Sequence, residues 1–162
     1  MTRVFTLVIL SLSLLLAGCG FKLQGSYSMP AELNTLSVDS GDEYSELTRL
    51  VKERLRLSGV KLVASSEQIP AVRLLKDSLS RTTLSLYPTG NVAEYELIYH
   101  VDFAVRMPGK EAQPFSVEIR RDYLDDPRTA LAKSREMEML LREMRLQAAD
   151  SLIQTLATTE IR

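Results

Sequence analysis

An α+β two-layer sandwich is the fold that this 162-residue sequence predicts, and three observations carry that expectation. Apolar residues alternate at period two through 95–105 and 115–123, they recur at helical spacing through 44–55 and again through 137–152, and Pro- and Gly-containing turns separate these stretches. The order of segments, βαβββα, implies two helices packed on one face of a mixed four-stranded sheet. With 45% hydrophobic residues and 20 basic against 21 acidic side chains, the chain has the composition of one ordinary globular domain. The same balance argues against disorder and against a basic nucleic-acid binder, so no nucleic-acid partner is expected.

The N-terminus comes first. Residues 4–16 carry no charge and sit directly behind Arg3. As a helix, such a run spans about 20 Å, short of the roughly 30 Å hydrocarbon core, so it reads as an export signal rather than a membrane span. It closes in Leu16-Ala17-Gly18-Cys19, which has the form of the bacterial lipobox, in which the cysteine thiol accepts a diacylglyceryl group. Cys19 is the only cysteine, so it has no disulfide partner within the chain, and the exit of a signal peptide is a poor place for a core residue. The expected organisation is a removed signal (1–18), a lipidated Cys19 with a short tether (19–30), and a single domain (31–162). Gly20 follows the cysteine where an aspartate usually holds such lipoproteins in the inner membrane, so the periplasmic side of the outer membrane is expected.

The elements follow in order. Residues 33–38 give a first strand. Asp42 is placed to cap a helix whose stripe is Tyr44, Leu47, Val51 and Leu55, with Gly59 as its stop. Residues 60–63 form a short strand. The long strand 71–86 has broken alternation around 76–80, which predicts a bulge or strand bend there. After a turn at 87–91, Tyr95, Leu97, Tyr99, Val101, Phe103 and Val105 share one strand face and His100 lies on the other. Beyond a second turn at 107–110, Phe115, Val117, Ile119 and Tyr123 alternate with charged residues, so the two strands read as an antiparallel hairpin or meander. Asp126-Pro127 opens a long final helix whose main stripe is Met137, Leu140, Leu141, Met144, Ala148 and Leu152. A second stripe, Met139, Leu146 and Ile153, points roughly opposite the first. It reads either as scattered surface apolar residues or as a partner-facing seam.

Catalytic chemistry is poorly represented. The single histidine, His100, has Glu96 and Asp102 on its strand face and no nucleophile fixed beside it, and the chain lacks zinc-ligand spacing, a P-loop, GxGxxG and GxSxG. No enzyme, metal or cofactor is expected. Basic residues mark the strand ends: Arg73, Lys76, Arg81, Arg106, Arg120, Arg121, Lys133 and Arg135. Most of these read as solvated charges. Arg121 stands out because it interrupts the apolar face of Phe115, Val117, Ile119 and Tyr123, as an arginine meeting a phosphate or carboxylate would.

Read together, Leu16-Ala17-Gly18-Cys19-Gly20, Asp39-Ser40-Gly41-Asp42, Leu55-Arg56-Leu57 with Gly59-Val60, Ala93-Glu94-Tyr95, Pro108-Gly109 and Asp126-Pro127 with Ala130-Leu131-Ala132-Lys133 resemble the LptE lipopolysaccharide-assembly lipoproteins over nearly the whole chain. The resemblance implies two helices on a four-stranded sheet. It also implies a plug seated one-to-one inside the outer-membrane β-barrel LptD, assisting the barrel's assembly and binding lipopolysaccharide on its way to the outer leaflet. Of the family's basic positions for lipopolysaccharide, Lys133 matches directly, whereas the second is occupied by Pro88, leaving Arg81 or Arg121 to supply that charge. The alternative is a periplasmic lipoprotein scaffold or enzyme inhibitor with no lipid ligand.

Overall fold

The computed structural model describes residues 29–125 and 130–158. The signal, Cys19, most of the tether and the Asp126-Pro127 cap lie outside the described residues.

A single 3₁₀ turn at Ala31–Leu33 leads into β1 (Thr35–Ser40), α1 (Glu46–Leu57), β2 (Lys61–Leu62), β3 (Ala71–Leu86), β4 (Val92–Arg106), β5 (Gln113–Leu124) and α2 (Ala130–Thr158). The sheet has five strands in the order β2-β1-β3-β4-β5, one more than the four expected. The extra member is the short strand anticipated at 60–63. Gly59 returns the chain from α1, and β2 then pairs parallel to β1 through Thr35 with Lys61 and Leu36 with Leu62. β1 also pairs parallel to β3, while β3, β4 and β5 form an antiparallel meander. The order is therefore βαββββα, a mixed sheet with both helices on one face.

α1 begins at Ser45, not at Asp42. The Ser45 side chain accepts the Thr48 N–H at 3.1 Å, a cap that stabilises a helix by about 1 kcal/mol. Asp42 instead takes the Tyr44 N–H at 2.9 Å, three residues too early to start the helix, and Tyr44 is left 94% exposed rather than in the stripe. Leu47, Val51 and Leu55 are buried as expected, each contributing roughly 1.5–3 kcal/mol. The helix stops where Gly59 takes φ +82°, a left-handed value that a side chain resists. There the Gly59 N–H reaches Arg56 and the Val60 N–H reaches Leu55, closing a Schellman motif in which Val60 and Leu55 are both buried.

The bulge in β3 precedes the window expected for it. Register breaks between Leu74 and Lys76, and again around Ser85, leaving Lys76 to Thr83 regular. Two adjacent leucines cause the first break. Leu74 is drawn into the core, so Leu75 becomes the extra residue and stays 54% exposed.

The core lies between the helices and the sheet face formed by Leu36, Val72, Leu97, Tyr99, Val101, Phe103 and Val105, and Met29 packs into it. Phe103 stacks on Phe115 with ring centroids 5.5 Å apart. From α2, the core takes Met144, Ala148, Ala149, Leu152, Ile153 and Leu156. The second α2 stripe therefore splits. Ile153 is buried, Leu146 is half-buried beside α1, and only Met139 is largely exposed. The reason is that α1 packs against α2, so α2 needs two apolar flanks, one for the sheet and one for its neighbour helix.

Polar pins cross this packing. Arg54 of α1 holds Asp150 of α2 through Nε at 2.8 Å and Nη2 at 3.2 Å. Tyr99 of β4 donates to Asp77 of β3 at 2.6 Å, and Arg145 of α2 reaches Glu46 of α1 at 2.6 Å. Burial, then the bond to Asp77, pushes the Tyr99 hydroxyl well above the usual tyrosine range.

Candidate functional site

The three cations singled out from the sequence meet at one end of the sheet. Strand register places Arg81 opposite Leu97 and Leu97 opposite Arg121, so both arginines stand on one rung and on the face that carries the helices. Adjacent strands lie about 4.8 Å apart, which puts the two backbone positions roughly 10 Å from each other. On the next rung, Thr83, Tyr95 and Tyr123 are aligned. Lys133, from the first turn of α2, sits over Tyr123 with its Nζ 5.0 Å from the ring centroid, and the Arg81 guanidinium sits 5.0 Å from that of Tyr95. Two tyrosines side by side thus each carry a cation on the ring face, where the quadrupole is attractive. The Tyr123 hydroxyl donates to the Lys133 carbonyl at 3.3 Å and ties α2 to β5 at this end. Burial raises the Tyr123 hydroxyl above its usual range, keeping it a donor.

The cations are not equivalent. Lys133 is paired with Glu136 at 2.9 Å, and that hydrogen bond holds its ammonium charged beyond the usual lysine range. Arg121 donates to the Gln147 side chain and to the Arg120 carbonyl, both neutral acceptors, and Arg81 has only the Tyr95 ring. Among the described residues neither arginine has a carboxylate partner. Each retains a full positive charge for an incoming anion, whereas Lys133 must exchange Glu136 for one. The partner residues Tyr95, Gln147 and Glu136 escaped the sequence reading. Glu136 was legible as an i,i+3 neighbour of Lys133, but Gln147 was not, because its contact depends on how α2 lies across β5.

Pro88 lies in the exposed turn between β3 and β4, where Gly90 at φ +87° and the Gly90 N–H bond to Tyr87 shape the tip. His100 lies on the opposite, helix-free face, with Nε2 2.9 Å from Asp102 and Nδ1 3.8 Å from Glu118. Ser78 stands opposite it in register, but no hydrogen bond joins the two. Arg120 completes this ladder with Glu96 at 3.0 Å and Glu118 at 2.7 Å, and those bonds raise its pKa. In this ladder Arg120 is shared by two carboxylates, and among the described residues no hydroxyl is hydrogen-bonded to His100. No helix among the described residues is long and apolar enough to cross a membrane.

The LptE family profile, described as lipopolysaccharide-assembly, matches residues 33–156. The LPS-assembly lipoprotein LptE of Pectobacterium atrosepticum is 45% identical over 158 residues, covering 96% of this chain and 86% of the relative. That of Yersinia enterocolitica is 41% identical over 156 residues, covering 95% and 75%. Among solved structures, rare lipoprotein B of Shewanella oneidensis matches with a TM-score of 0.72 at 70% identity, over 76% of this chain and 94% of that one. A minor lipoprotein of Acinetobacter baumannii shares the fold with a TM-score of 0.64 at 20% identity, over 77% and 91%. The chain belongs to the LptE family of lipopolysaccharide-assembly lipoproteins, which are not enzymes.

Proposed function

We propose that the chain is the plug of an LptD-type outer-membrane β-barrel, held on the periplasmic side of the outer membrane by acyl chains on Cys19. In a one-to-one complex it takes part in placing lipopolysaccharide in the outer leaflet and assists assembly of the barrel. Its lipopolysaccharide-binding residues are Arg81, Arg121 and Lys133, which meet lipid phosphates. One observation carries this reading: three cations from β3, β5 and α2 converge on two rungs of one sheet face, and two of them have no acidic partner among the described residues. Guanidinium groups left without carboxylates suit phosphate, which they grip through paired N–H donors.

The exposed distal part of β3 supports the plug. From Leu75 to Leu84 every residue is exposed, and beyond Leu74 the edge of β3 away from β4 has no strand beside it among the described residues. A strand with an open edge and Leu79, Leu84 and Leu86 in the open is a liability in a free periplasmic protein, and enclosure by a barrel wall removes it. Extraction from membranes in mild detergent tests the reading. A stable one-to-one complex with an outer-membrane β-barrel is the expected product, and recovery of the lipoprotein alone as a monomer contradicts it.

A further inference from the structure

A second pair of arginines lies at the other end of the sheet and on the other face. In the β3–β4 ladder Ala71 stands opposite Arg106 and Arg73 opposite Ala104, so the two arginines are diagonal neighbours on the helix-free face, with backbone positions about 7–8 Å apart. Together with Leu75 and Ala112, these four residues line a cavity of about 170 Å³. Apart from the two arginines, its walls are three alanines and a leucine.

Neither arginine there forms an ion pair among the described residues. Arg106 is fixed by the carbonyls of Ser66 at 3.0 Å and Glu67 at 3.3 Å, which orient the guanidinium without neutralising it. Arg73 has no hydrogen bond or ion pair among the described residues. Asp39 is its register partner in β1, but that carboxylate takes the Ser65 hydroxyl at 3.1 Å and forms no ion pair with Arg73. One strand away, Ser37 is opposite Ala71 on the same face, and its hydroxyl is buried without a partner. Arg120, on the same face, is by contrast held by both Glu96 and Glu118. Two cations held close together around an apolar floor are arranged for a ligand with two negative charges and a small apolar neighbour.

We propose that the Arg73–Arg106 cavity binds a phosphate monoester. A dianionic phosphate matches two guanidiniums in charge and in donor geometry, where a single carboxylate leaves one arginine unsatisfied. The alanine floor and Leu75 accept the first carbons of an attached chain. This site is independent of the Arg81, Arg121 and Lys133 end, which lies on the opposite face.

Calorimetric titration of the detergent-solubilised full chain tests it, with three probes: inorganic phosphate, dihexanoyl phosphatidic acid and dihexanoyl phosphatidylcholine. Phosphatidic acid is expected to bind and phosphatidylcholine, a zwitterionic diester, is not. Tighter binding of phosphatidic acid than of inorganic phosphate supports a monoester, and equal affinity for the free ion contradicts one. Arg73→Gln with Arg106→Gln weakens binding at least about tenfold. Ala112→Phe, at an exposed loop position, fills the cavity without changing charge and weakens binding as well. The titrations are made in the Arg81→Gln, Lys133→Gln background, so that phosphate held by the distal cations does not contribute. The proposal is overturned if phosphatidic acid does not bind, if inorganic phosphate binds as tightly, or if adding the Arg73 and Arg106 substitutions or Ala112→Phe to that background leaves its affinity unchanged.

Discussion

The two halves of β3 differ more than any two elements of the molecule. Over Ala71–Leu74 it has β1 on one side and β4 on the other, and Ala71, Val72 and Leu74 are buried. From Leu75 to Leu84 it has β4 alone, and every residue is exposed. α2 shows the same division in the opposite chain direction. Its second half supplies Met144, Ala148, Ala149, Leu152, Ile153 and Leu156 to the core, while its first half has no fully buried side chain among residues 131–143. The domain therefore has a base stabilised by its own packing and a distal end built of regular structure that the described residues do not cover. Burial is thus concentrated at the base, so the stability cost of a substitution sorts by position along the strands rather than by residue type.

The largest effect belongs at the base. Phe103→Ala removes a fully buried ring stacked on Phe115 and is expected to destabilise the fold by about 3–5 kcal/mol, measured by denaturant unfolding. An equal loss on replacing a distal leucine would break the division. Tyr99 stands at the boundary, since its hydroxyl links β4 to Asp77 on the exposed half of β3. Tyr99→Phe removes that bond and is expected to cost about 1 kcal/mol. Because burial raises the folded-state pKa of Tyr99, its contribution is complete below the ordinary tyrosine value of 10.0 and is lost as pH rises above it. Wild-type stability should therefore fall with alkaline pH more steeply than that of Tyr99→Phe in parallel melts. The smallest stability effect belongs at the tip. Leu84→Ser, at a side chain 51% exposed, is expected to change the stability of the isolated protein by less than about 0.5 kcal/mol while reducing recovery of the barrel complex. Unchanged recovery would mean that the barrel does not contact this strand.

The base was also the more legible half. Alternation in β4 named Tyr95, Leu97, Tyr99, Val101, Phe103 and Val105 as one face; all are buried but Tyr95, which is half-buried. Gly59 marked the end of α1 because a left-handed residue after a helix has few chemical solutions. Misreadings arose where two local solutions compete. Asp42 and Ser45 both cap well, and the choice was settled by the Thr48 hydroxyl lying 2.9 Å from Ser40, which ties α1 to the end of β1. The short strand at 60–63 was legible, but its pairing to β1, which makes it the fifth member of the sheet, is a tertiary contact that periodicity does not register. The stripe of Met139, Leu146 and Ile153 looked like one feature because helical spacing cannot tell a neighbouring helix from solvent. At the distal end, Arg121 was legible as a charge on an apolar face. The pairing of Lys133 with Glu136, and the lack of any such pair for Arg81, needed the structure.

The central claim is that the cation-bearing distal face binds lipopolysaccharide without contributing much to the fold. The most direct measurement compares lipopolysaccharide affinity of the wild-type chain with that of the Arg81→Asp, Lys133→Asp double variant. The account predicts binding weakened at least about tenfold, since two charge-assisted contacts become repulsive. The variant should still co-purify with the barrel and melt within a few degrees of wild type. Undiminished lipopolysaccharide binding by the double variant would contradict the account.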